Sequence, residues 1–85
     1  MIKLPLSTLV TIELGPPDPD KPGEFRGGSI SGLSEGTEDN PELHIAFRAI
    51  ESLLLAHACA GVDVTAANYI AGIEVALEAI VNSLD

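Results

Sequence analysis

Two histidines and one cysteine are the residues here that could hold a metal or act as a nucleophile: His44, His57 and Cys59. His57 and Cys59 stand two apart near the end of a helical pattern. Residues two apart on a helix point about 200° from each other, so these two cannot grip one ion. His44 lies more than three turns earlier and shares a face with Arg48, whose charge disfavours a cation, and Glu51 is two turns further on. The spacing predicts no metal and no cofactor. Cys59 as a nucleophile would need a lowered pKa and an adjacent base. A place in the negative last turn of a helix works against a thiolate, so Cys59 reads as a small core residue. No catalytic set emerges, and the sequence reads as that of a non-enzyme.

Gly27-Gly28-Ser29-Ile30-Ser31-Gly32 has the glycine density of a phosphate loop. It lacks the Gly-Lys-Ser/Thr ending, and no helix follows directly. Glu35, Glu38 and Asp39 would repel a phosphate. The acidic pairs Asp18/Asp20 and Glu38/Asp39 lack the spacing of a calcium loop and read as solvated charge. Glu74 and Glu78, four apart on a helix, read as solvated surface or as a place for a basic partner.

Composition narrows the classes further. A chain of 85 residues is one small domain, 1–85. Size scaling gives roughly 4,800 Å² of folded surface. Acidic residues outnumber basic ones 13 to 4, for a formal charge of −9, which argues against direct nucleic-acid binding through phosphates. Both halves are acidic. Hydrophobic residues make up 46%, too many for a disordered chain. One cysteine makes neither an internal disulfide nor a four-cysteine zinc site. Ser7, Thr8, Thr11 and Glu13 interrupt any signal-peptide core, and the longest apolar run, Leu53–Ala60, contains His57 and is too short to span a bilayer. The expectation is a soluble cytoplasmic protein without a membrane partner.

The elements that must position these residues are an N-terminal β-hairpin and a helical hairpin, an α+β order ββαα. Ile2, Leu4, Leu6, Val10, Ile12 and Leu14 share one parity, with Leu9 the exception, and predict a single half-buried strand. Pro5 suggests an edge. Four prolines in Gly15–Gly23 exclude helix and inner strand, making 15–24 a stiff or protruding loop within a hairpin that ends near residue 33. Phe25 and Ile30 have opposite parity, so a register slip at Gly27-Gly28 is expected. Residues 34–40 form a polar connector. Asp39 or Asn40 caps helix one (41–61), with Pro41 at its first position and Gly61 ending it in the left-handed conformation. Leu43, Ala46, Phe47, Ile50, Leu53, Leu54 and His57 form its main stripe. Helix two (65–84) is capped by Asp63 or Thr65 and buries Ala66, Ile70, Ile73, Leu77, Ile80 and Leu84. The short joint makes the helices antiparallel neighbours.

Both helices carry more apolar circumference than one ribbon can cover. The surplus gives a candidate self-association face: Ile45, Ala49, Ser52, Leu55, Ala56, Cys59, Tyr69, Val75 and Val81. The simplest cure is a twofold dimer, through the helices, a strand edge, or both. The expected role is protein–protein contact, as a structural or adaptor subunit whose first partner is itself. Two other classes fit the composition. An acidic decoy would occupy a basic, nucleic-acid-binding protein. A small-ligand binder would hold His57 or His44 in a pocket between subunits.

Overall fold

The computed structural model describes residues 2–6 and 10–84. Three strands precede two helices: β1 (Ile2–Leu6), β2 (Val10–Leu14), β3 (Gly28–Ser31), α1 (Pro41–Cys59) and α2 (Ala67–Ser83). The chain is thus α+β, an antiparallel sheet followed by a helical hairpin. No helix among the described residues is long and apolar enough to cross a membrane.

The segment 2–14, expected as one strand, folds back on itself. β1 pairs antiparallel with β2 through Ile2↔Leu14, Leu4↔Ile12 and Leu6↔Val10. Each pair joins two even-numbered positions. A period of two survives such a reversal unchanged, so alternation alone does not separate one long strand from a tight hairpin. Strands of about five or six residues are also the usual length. Leu9, the exception to the alternation, lies outside the described residues, as do Ser7 and Thr8.

β2 is the central strand, in the order β1-β2-β3. Val10, Ile12 and Leu14 are buried, while Thr11, Ser29 and Ser31 are exposed on the other face. The β2–β3 hairpin is the expected one, but its register does not slip. Ile12↔Ile30, Leu14↔Gly28 and Pro17↔Phe25 belong to a single register. Instead of a bulge, Gly27 takes φ 107° and redirects the strand. Phe25 thereby packs against the core in spite of its parity.

Pairing continues past the strands into the proline-rich segment. The Gly15 N–H donates to Gly27 O at 2.6 Å, Arg26 N–H to Pro16 O at 2.9 Å, and Asp18 N–H to Glu24 O at 2.9 Å. Pro16 joins this ladder through its carbonyl, so its missing N–H costs no bond there. The loop is therefore a ladder with a tip at Asp18–Glu24, and it docks on the end of α1. The Phe25 N–H donates to Cys59 O at 2.8 Å, supplying a donor to one of the last helical carbonyls.

The ends of α1 follow from their residues. The Asn40 side chain accepts from Leu43 N–H at 3.3 Å, and Pro41 follows at the first position. At the other end Val62 N–H donates to His57 O at 2.9 Å and Gly61 N–H to Ala58 O at 3.1 Å, a Schellman closure. Gly61 has φ 86°, and a Cβ there would lie 2.6 Å from Gly23 O. Gly61→Ala is expected to cost at least about 1–2 kcal/mol from the left-handed backbone alone. Urea unfolding measures it, and a loss under about 0.5 kcal/mol would mean that the loop does not press on this helix end.

α2 starts two residues later than expected and lacks the expected cap. Asp63 Oδ1 accepts from both Thr65 N–H, at 3.0 Å, and Thr65 Oγ1. These two polar residues satisfy each other in a turn before the helix, and those bonds hold the Asp63 carboxyl below its ordinary pKa. Ala66 takes the N-cap position with no side-chain bond.

The core joins the sheet to α1. Val10, Ile12, Leu14 and Leu33 meet Ile50, Leu54, Ala58 and Val64. α2 adds Tyr69, Ile70, Ile73, Ala76, Leu77 and Ile80 to the margin, and none of its residues is fully buried. The radius of gyration is 13.5 Å and the longest dimension 46 Å. A chain of this length averages about 12 Å.

Candidate functional site

Two places in the fold gather the residues of interest: a polar cluster under the connector, and the outer faces of the helices.

The cluster centres on Glu51. Its side chain is fully buried, on the same face of α1 as Phe47, Ile50, Leu54 and Ala58. One carboxylate oxygen accepts from Ser34 Oγ at 2.6 Å and from Arg48 Nη1 at 3.3 Å; the other accepts from Ser34 N–H at 3.2 Å. Ser34 is itself buried. Three residues on, Thr37 Oγ1 donates to Ser34 O at 2.5 Å and lies 2.8 Å from His44 Nδ1. A threonine hydroxyl has one proton. With that proton on the Ser34 carbonyl, His44 Nδ1–H is the donor to Thr37, which fixes the imidazole tautomer. The connector is thus pinned to α1 by Glu51 and His44. The proton of Ser34 goes to a carboxylate and that of Thr37 to a carbonyl, so the work of this arrangement is to hold a loop.

From the sequence Glu51 drew notice only for its two-turn spacing from His44, and 34–40 reads as a polar connector. The pointer available was spacing. Positions 47, 51, 54 and 58 continue the apolar stripe, and Glu51 falls inside it where Leu53 does not. Leu53, assigned to the main stripe, is 45% exposed on the outside.

His57 and Cys59 diverge. His57 Nδ1 lies 2.6 Å from the Tyr69 hydroxyl, with the rings edge to face at 5.6 Å. This bond ties the last turn of α1 to the first turn of α2, and burial pushes the Tyr69 phenol up from its ordinary pKa. Cys59 is half-buried beside the docked loop. Among the described residues no three His, Cys, Asp or Glu converge on one point.

The candidate self-association residues divide. Ile45, Ala49, Ser52 and Ala56 are all exposed on one face of α1, and Leu53 joins them. Val75 and Val81 are exposed on α2, at 67% and 44%. Leu55, Cys59 and Tyr69 turn the other way, half-buried against the core. The outer face of α1 is therefore a narrower and more continuous surface than the nine residues first grouped.

No family model, no curated protein and no solved structure matches this chain.

Proposed function

We propose that this chain is a non-enzymatic protein that self-associates through its helical layer and works by protein–protein contact, as a structural or adaptor subunit. One observation carries the reading. Every large hydrophobic residue that is exposed among the described ones lies in the helical half: Ile45, Leu53, Val62, Val75, Val81 and Leu84. β2 and β3 keep their apolar side chains in and their serines and threonine out, while the helices do not. A solvent-facing helix normally carries charge there.

The surface area agrees. The chain exposes 5299 Å². A folded monomer of this mass exposes about 4,800 Å², roughly 500 Å² less, a difference to which the extended outline of the chain contributes. Burial is worth about 25 cal/mol per Å², which makes association the simplest way to remove such surface from water.

Sedimentation equilibrium tests the reading. A species of twice 8.8 kDa or more at micromolar concentration is expected. A strict monomer throughout that range would reject it.

A further inference from the structure

We propose that Pro5 shuts the free edge of the sheet, so that β1 accepts no further strand, whether from a second copy or from a foreign chain. The proposal goes beyond the self-association above and stands without it, because a monomer also needs a shut edge.

The backbone of β2 shows which way β1 faces. The Gly15 N–H donates to Gly27 O at 2.6 Å, and Glu13 O presses on Gly28, where it leaves no room for a Cβ. Odd-numbered residues of β2 thus turn their peptide groups to β3. Alternate residues of an antiparallel strand bond to opposite sides. Val10, Ile12 and Leu14 therefore turn theirs to β1, where the register pairs them with Leu6, Leu4 and Ile2. Lys3 and Pro5 stand opposite Glu13 and Thr11, and their peptide groups point away from the sheet. β1 ends the strand order, so these two residues supply what its free edge offers.

Proline has no N–H. At this position the gap costs the β1–β2 ladder nothing and falls entirely on the edge, which is where a strand tolerates proline. Lys3 offers an N–H and a C=O, and Pro5 only a C=O. Two β1 strands laid edge to edge, with position 3 opposite position 5, would have four ladder bonds, and the two prolines remove two of them. With the prolines opposite each other that pair makes none. Each missing N–H also leaves a facing carbonyl without a donor in the seam, which opposes the contact further. A foreign strand meets the same gap.

The other edge is limited by length. β3 has four residues, and Gly27 and Gly32, with φ 107° and 119°, turn the chain away at both its ends. By the same alternation only Gly28 and Ile30 point outward there. An edge this short is a poor template, whereas β1 with a full set of N–H groups would be a longer one.

Thioflavin T fluorescence and sedimentation velocity at physiological salt test the proposal on three chains: the unaltered protein, Pro5→Val, and a chain made by chemical ligation with N-methylvaline at position 5. All three carry the same charge, so its repulsion cancels from the comparison. The unaltered chain is expected to form no sheet aggregate. Pro5→Val gains the missing N–H and is expected to form thioflavin-positive aggregates about tenfold faster or more. The N-methylvaline chain has the valine side chain without the N–H and is expected to behave as the unaltered one. Sheet aggregation by the unaltered chain or by the N-methylvaline chain, or a Pro5→Val chain that stays as soluble as the unaltered one, would overturn the proposal. So would a Pro5→Val chain that fails to fold, since valine favours strands and a nitrogen facing water can be replaced without loss. Amide exchange checks the geometry before assembly. In dilute Pro5→Val the amide at position 5 is expected to exchange freely while those of Leu4 and Leu6 are protected. Protection at position 5 in the monomer would mean that it bonds within the hairpin, and the edge assignment would fall.

Discussion

Glu51→Ala is expected to lose about 3 kcal/mol or more of folding stability. The carboxylate is fully buried and takes three hydrogen bonds, two of them from Ser34. Bonds to a charged acceptor contribute about 1.5–3 kcal/mol each, and a buried donor left without a partner costs about 1–3 kcal/mol. Alanine strands the Ser34 N–H and hydroxyl together. Arg48 is about half exposed, so its own loss is made good by water and adds little. A chain of this size has only about 4–13 kcal/mol in hand. The variant should therefore be partly unfolded near 37 °C, with the connector 34–40 released first. Two controls set the scale. Ser34→Ala removes the hydroxyl and keeps the N–H bond, and should cost about 1 kcal/mol. Glu51→Gln retains an acceptor for Ser34 and should fall between the two. Urea midpoints for the three variants give the order, and a Glu51→Ala loss below about 1 kcal/mol would show that the carboxylate is solvated in solution.

What the sequence made legible was local. Asn40, Pro41 and Gly61 mark the ends of α1 because caps act within a turn of the residue that supplies them. The even-numbered alternation on β2 marks its buried face for the same reason. What stayed hidden depended on partners distant along the chain, or on symmetry that the pattern cannot break. The hairpin within 2–14 pairs even positions with even ones, so its signal equals that of a single strand. Spacing sets Glu51 in the buried row of α1, but the group that satisfies its carboxylate there, Ser34, lies seventeen residues back. Asp63 and Thr65 have the chemistry of helix caps but spend it on each other. That Ile45, Ala49, Ser52 and Ala56 share one exposed side of α1 was legible from spacing alone. Leu53 was misplaced because the stripe was centred on leucines and not allowed to hold a carboxylate.

Leu54→Ala and Leu77→Ala should differ sharply, and the difference measures how the stability of this fold is distributed. Leu54 is completely buried where α1 meets the sheet. Its truncation is expected to cost about 3–4 kcal/mol, the transfer of the lost carbons plus a cavity that a small core cannot close. Leu77 occupies the equivalent inward row of α2 but remains half-exposed, as do Ile70, Ile73 and Ile80. Truncation there removes side chain that water already reaches in part, and should cost about half as much. Native-state hydrogen exchange should show the same gradient, with amides around Ile50–Leu54 opening only on global unfolding and those of α2 opening below it. Next to the joint the His57–Tyr69 bond fastens the helices to each other. Both measurements belong at two protein concentrations, because an assembled chain gains stability with concentration and a monomer does not. If a second copy covers the outer face of α1, Leu54 and Leu77 should keep their ratio as concentration rises. A Leu77 cost that climbs towards that of Leu54 would instead place the second copy on α2.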